Sequence, residues 1–185
     1  MQTFGLVDGK TETEMKKMVS TIIAVNGRFR LKNTVYWKSA PKTRSYDIIG
    51  IGNDSTVSGI PSTKYFKRIA DISGKDYSYY DMSTTGTWTQ KPSGYAVTFQ
   101  LPINKADGDV KTMEIYMYYE VDKLTTATIK TLNAFGDYKH SKVTVSSSVS
   151  GSIGIGSGGI SLTTTLEKKF DKISTAQAQW LDIYW

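Results

Sequence analysis

The side chains able to do chemistry are few, and their types exclude more than they allow. His140 is the only histidine and cysteine is absent from the 185 residues. Thiol nucleophiles, thiolate metal sites, disulfides and histidine-based metal clusters are therefore excluded. A Ser-His-Asp triad would have to be built on His140, whose setting "GDYKHSK" reads as a polar turn. Asp71, Asp76, Asp81, Glu114 and Glu120 are scattered carboxylates, and nothing singles out a pair for glycosidase chemistry. Asp107 and Asp109 lack the spacing and terminal glutamate of a calcium loop. The glycines from Gly154 to Gly159 lack the lysine and Ser/Thr of a phosphate-binding loop. The expectation is a protein without cofactor, metal or catalytic residues.

Three groups of residues instead suggest binding. The formal net charge of +6 favours acidic partners, either anionic lipid or teichoic or sialylated polymers, with nucleic acid not expected. Charge concentrates in "RFRLKNTVYWK", where a period of two puts Phe29, Leu31, Val35 and Trp37 on one face. Arg28, Arg30, Lys32 and Lys38 take the other face, Lys42 and Arg44 extend the run, and Asn33 is the polar exception on the apolar side. Such a set binds an anionic surface or guards a strand edge against aggregation. Tyr77, Tyr79, Tyr80 and Trp88 crowd a turn-rich stretch, where aromatics seat at a lipid interface or stack on sugars. The third group is "KVTVSSSVSGSIGIGSGG" and its return, about residues 142–166. Val143, Val145, Val149, Ile153 and Ile155 share one parity and Ser/Thr the other; Ile160, Leu162 and Leu166 alternate with Ser/Thr on the way back. Apolar and small hydroxyl faces of this kind suit a barrel wall between lipid and water, or a small-residue hairpin packed on a sandwich surface.

These groups must be positioned by a mainly β chain. One domain spanning residues 1–185 is expected, as an antiparallel β-sandwich with a single N-terminal amphipathic helix at Glu12–Val25. Thr11 and Glu14 have capping-box spacing; Met15, Met18, Val19, Ile22 and Ile23 recur at helical offsets, and Asn26-Gly27 stops the run. Strong strands are predicted at "YAVTFQL" and "MEIYMYYEV", the latter with Glu114, Tyr116, Tyr118 and Glu120 on its polar side. No run of apolar residues is long enough for a membrane-crossing helix, and no apolar leader follows a basic start at "MQTFGLVDGK".

The hairpin resembles the Ser/Thr-rich insertion hairpins of aerolysin-type β-pore-forming toxins. The helix at Thr11–Val25, with "GYAVTFQLP" and "MEIYMYY", resembles actinoporins, small basic cytolysins without cysteine. These resemblances imply a secreted membrane-binding protein that forms a homo-oligomeric pore, the basic set attracting headgroups and the hairpin or the helix inserting. The cysteine-free composition, rich in Ser, Thr, Gly and Tyr, resembles mature proteins exported by Gram-positive bacteria. The alternative expectation is a secreted carbohydrate or cell-wall-polymer binding module using the same tyrosines.

Overall fold

A period of two, not helical spacing, governs the N-terminal part of the chain. A computed structural model describes residues 6–72, 80–104, 108–171 and 173–185. The chain opens with strands β1 (Leu6–Val7) and β2 (Gly9–Glu12), and the stretch expected to be a helix, Glu12–Val25, runs from the end of β2 through strand β3 (Lys16–Val25), followed by β4 (Arg28–Trp37). In β3 the inward residues are Lys16, Met18, Ser20 and Ile22, and the β-branched Val19, Thr21, Ile23 and Val25 point outward. The offsets of Met18 and Ile22 fit both periods; the β-branched content decides for the strand. Asn26-Gly27 is no helix stop. Both residues have positive φ, 48° and 80°, and they join β3 to β4 with Val25 opposite Arg28. A two-residue Asn-Gly loop of this kind matches the twist of a hairpin.

The chain continues through β5 (Tyr46–Asn53), β6 (Val57–Gly59), β7 (Tyr65–Ile72), β8 (Tyr80–Ser83), β9 (Thr87–Lys91), β10 (Gly94–Gln100), β11 (Val110–Lys123) and β12 (Thr131–Lys139). The last elements are β13 (Ile153–Gly156), β14 (Gly159–Leu162), the single-turn helix α1 (Thr164–Glu167) and β15 (Ala176–Leu181). One sheet runs β1-β15-β12-β5-β10-β9 and the other β2-β3-β4-β11-β7-β8, with β6 beside β11. The two close over a shared apolar core that includes Met18, Leu31, Val35, Ile49, Val97, Phe99, Ile115 and Tyr119. The expected antiparallel β-sandwich is present.

Asn33, the polar residue at an apolar position, pins the sheets together. From β4 its side-chain amide donates to the Gly50 carbonyl at 3.1 Å and the Asp137 carbonyl at 3.2 Å in the facing sheet, and its oxygen accepts from Ser20 at 3.3 Å. The approach there is close: a Cβ on Gly136 would lie 1.8 Å from the Ser20 hydroxyl oxygen.

The hairpin takes a shorter form than its sequence suggests. Val143 is exposed, residues Ser147–Ser152 form a 3-10 turn, and β13 and β14 have four residues each. Arms of that length fall short of the roughly 9–11 residues of a membrane-crossing strand. Val149, Ile153, Ile155, Ile160 and Phe170 instead bury against Ile48 and Ala96 on the outer face of the first sheet, with Val145, Leu162 and Leu166 at the margin. Glycine makes room for them: a Cβ on Gly50 would meet Ile160 at 2.6 Å, and one on Gly52 would meet the Gly156 carbonyl at 2.1 Å. Asp137 fastens the second arm by accepting the Ile160 amide at 3.0 Å.

Asn33→Ala is expected to lower the unfolding free energy by about 2–3 kcal/mol, because the buried hydrogen bonds of its amide to Gly50, Asp137 and Ser20 are lost together and a cavity is left between the sheets. Ser20→Ala should cost about 1 kcal/mol or less, as one neutral hydrogen bond is lost. Urea denaturation compares them, and equal losses would argue against the pin.

Candidate functional site

The best-built polar cluster lies at one end of the sandwich, around a carboxylate with no exposed surface. Asp47 enters on β5 with the inward parity of Ile49 and Ile51. One of its oxygens accepts the Ser141 amide at 3.0 Å and the Ser141 hydroxyl at 3.2 Å. The other accepts the Tyr138 hydroxyl and lies 2.9 Å from His140 Nδ1. A carboxylate is acceptor-only when ionised, so His140 donates its Nδ1–H here, which leaves Nε2 away from Asp47. Tyr138 also accepts the Trp37 indole N–H at 3.0 Å. Burial and the Asp47 charge push the Tyr138 phenol well above its ordinary pKa, keeping it a donor. Trp37 and His140 meet edge to face at 4.9 Å.

Over this floor opens a pocket of about 550 Å³. Met15, Trp37 and Pro41 supply apolar walls, Thr13 and Thr43 hydroxyls, Glu14 and Asp171 carboxylates, and Lys16, Lys42, Lys142 and His140 nitrogen donors. Lys16 is the unusual member. It starts β3 on the inward parity, its side chain only 7% exposed, with its ammonium 4.7 Å from the Trp37 ring centre and 5.7 Å from that of Tyr138. Its ion-pair partner Asp171 is 3.8 Å away, beyond hydrogen-bonding distance. Burial lowers the Lys16 pKa, opposed by the charges of Asp171 and Asp47. Thr13 holds the preceding turn, its hydroxyl accepting the Lys16 amide at 3.1 Å.

The residues singled out from the sequence are distributed differently. Arg28 pairs with Asp122 at 3.9 Å and Arg30 with Glu120 at 2.9 Å, because β4 lies beside β11 and the basic face of one meets the Tyr/Glu face of the other. Arg30 also covers the Tyr118 ring at 4.5 Å, and Lys32 covers Tyr116 at 4.7 Å. Lys38 pairs with Glu12, and Arg44 donates to the Pro41 carbonyl and to Asn104. Of that set only Lys42 lines the pocket. Tyr77 and Tyr79, like Asp76 and Asp107, lie outside the described residues. Tyr80 begins β8, and Trp88 leans on the core beneath Lys64. Sequence reasoning passed over Lys16, Trp37 and Asp171 as site residues. The available signal was a lysine at the start of an alternating run, sharing parity with Met18 and Ile22.

No family model and no curated protein matches the chain. Solved structures similar to it include the RrgB pilus backbone of Streptococcus pneumoniae, at 9% identity and a TM-score of 0.40, covering 62% of this chain and 25% of that one. The chain thus spans a quarter of that protein's length. A second is the collagen-binding subdomain of the Enterococcus faecalis surface protein ACE, at 7% identity and a TM-score of 0.41, covering 97% of both chains. A third is AvmM, which catalyses macrocyclization in alchivemycin A biosynthesis, at 12% identity and a TM-score of 0.32, covering 95% of this chain and 96% of that one. The expected likeness to pore-forming cytolysins does not hold, on the chain's own fold. The segment compared with the actinoporin helix is the end of β2 and strand β3, and the segment compared with an insertion hairpin has four-residue arms whose isoleucines, Ile153, Ile155 and Ile160, are already buried.

Asp47→Asn should destabilise the protein by about 2–4 kcal/mol, since an amide replaces an acceptor that serves several donors and loses the charge-assisted bonds. Tyr138→Phe should cost about 1–2 kcal/mol. Chemical denaturation measures both, and a neutral Asp47→Asn would show that the cluster does not hold this end together.

Proposed function

We propose that the protein is an extracellular, non-enzymatic recognition module that binds an acidic saccharide or cell-wall polymer in the pocket above Asp47. The observation that carries this reading is the combination in one cavity of an apolar wall, hydroxyls and the ammonium of a largely buried lysine. The wall of Met15, Trp37 and Pro41 suits the C–H face of a sugar ring; Thr13, Thr43 and Glu14 suit its hydroxyls; Lys42 and Lys142 on the rim suit acidic groups along the chain. A cavity of about 550 Å³ falls within the size range of small-ligand sites.

The Asp47–His140 pair supports positioning, not nucleophilic catalysis. The Ser141 hydroxyl donates to Asp47 and not to the imidazole, so the serine is wired into the scaffold. The paired cations of β4 likewise support a structural part for the outer face of the second sheet, with Arg30 held between Glu120 and Tyr118.

Binding to a panel of immobilised acidic and neutral polysaccharides, by glycan array and calorimetry, tests this. A Lys42→Glu/Lys142→Glu double variant alters two exposed rim positions and should fold normally. It is expected to lose about tenfold or more in affinity, with the wild-type affinity falling as salt rises. Undiminished binding by this variant, or no saccharide bound by the wild type, would refute the assignment.

A further inference from the structure

We propose that Lys16 is a receptor for a carboxylate carried on the bound sugar ring, and that Asp171 is an internal carboxylate which the ligand displaces. This rests on the reading of the pocket as a saccharide site and names the chemistry it selects.

Three observations converge. First, a lysine ammonium carries three donors, and burying it without hydrogen bonds is unfavourable. The Lys16 side chain is only 7% exposed, with two aromatic faces on one side of its ammonium and, among the described residues, a single ion-pair partner at a distance too long for a hydrogen bond. Its unused donor capacity adjoins the cavity that it lines. Second, the partner is weakly held: the Asp171 side chain is 43% exposed, whereas Asp47, the other carboxylate influencing Lys16, is fully buried and already accepts from Tyr138, His140 and Ser141. Asp47 cannot move to the ammonium; Asp171 can leave it. Third, the place beside Lys16 is matched to one planar monoanion, since it already has a carboxylate as its neighbour. A phosphate dianion would call for more donors at the floor than one ammonium provides. Met15, Trp37 and Pro41 then cover the ring that bears the acid group.

Displacement gives the two residues opposite signs. Removing Lys16 removes the attraction; neutralising Asp171 removes the competitor. A purely structural role for the pair would make both substitutions harmful.

Calorimetric titration with methyl glucuronoside, methyl glucoside and the corresponding sugar phosphate distinguishes the cases. The wild type should prefer the glucuronoside over both others by at least about tenfold. Lys16→Met, of similar length and without the buried charge, should abolish that preference while retaining the wild-type thermal transition. Asp171→Asn should strengthen glucuronoside binding by about threefold to tenfold. Equal affinity for the glucuronoside and the glucoside, preference for the phosphate, or weaker binding in Asp171→Asn would overturn the carboxylate assignment. Absence of binding by all three sugars would overturn it too. If the wild type then still bound an acidic polysaccharide and lost it in the rim double variant, the wider saccharide reading would stand; loss of polysaccharide binding as well would remove both.

Discussion

Burying an ionised carboxylate is among the most costly things a fold can do, and Asp47 shows how the cost is offset. Its oxygens accept two bonds from Ser141 and one each from Tyr138 and His140. Because Tyr138, His140 and Ser141 follow one another closely along the chain at and beyond the end of β12, a single charge fixes how that strand leaves the sheet. Tyr138 then orients Trp37 across the sandwich, and Trp37 and Tyr138 face the Lys16 ammonium. The pocket is thus a consequence of satisfying one buried anion. Its cation stands over the aromatic layer, on a largely buried side chain, where a ligand charge is felt more strongly than at an exposed lysine.

The two outer faces of the sandwich are managed in different ways. On the first sheet, Ile48 and Ala96 would be an exposed apolar patch, and the segment carrying Val149, Ile153, Ile160 and Phe170 covers them. The glycines of β5 let that cover approach the backbone, which explains why the covering segment is made of small residues and why its hydroxyl face resembles a membrane strand in sequence. On the second sheet, stacked tyrosines take this role: Tyr65 lies against Tyr118 at 5.2 Å and a 19° interplanar angle, with Arg30 and Lys32 extending over neighbouring rings.

Much of this was legible from residue types, and the failures have specific physical causes. Alternation marked β4 and the core face of β11, whose outward sides stay partly open to solvent, and it marked β10 by the Tyr95, Val97, Phe99 parity that enters the core, although Ala96 and Thr98 on its other face are buried too. The β3 segment was misread because Met15, Met18, Val19, Ile22 and Ile23 satisfy a helical offset while hiding a two-residue period, and because Asn-Gly serves equally as a helix stop and a hairpin turn. Asn33 looked like an exception in its strand; it is the residue that crosses between sheets. The cationic character of β4 was visible, but its neutralisation by Glu120 and Asp122 depends on which strand lies alongside, and that is a property of topology. The site was hidden for the same reason, since Lys16, Trp37, His140 and Asp171 are far apart in sequence and none carries a motif.

The most direct measurement is a nuclear magnetic resonance titration of isotopically labelled protein with an acidic oligosaccharide, following every backbone amide. Perturbations are expected to cluster at residues 13–16, 42–43, 140–142 and 171, the amides around the pocket. Perturbations centred on the outward residues of β4 and β11 would place the ligand on the tyrosine-bearing face and contradict the pocket as the site of recognition.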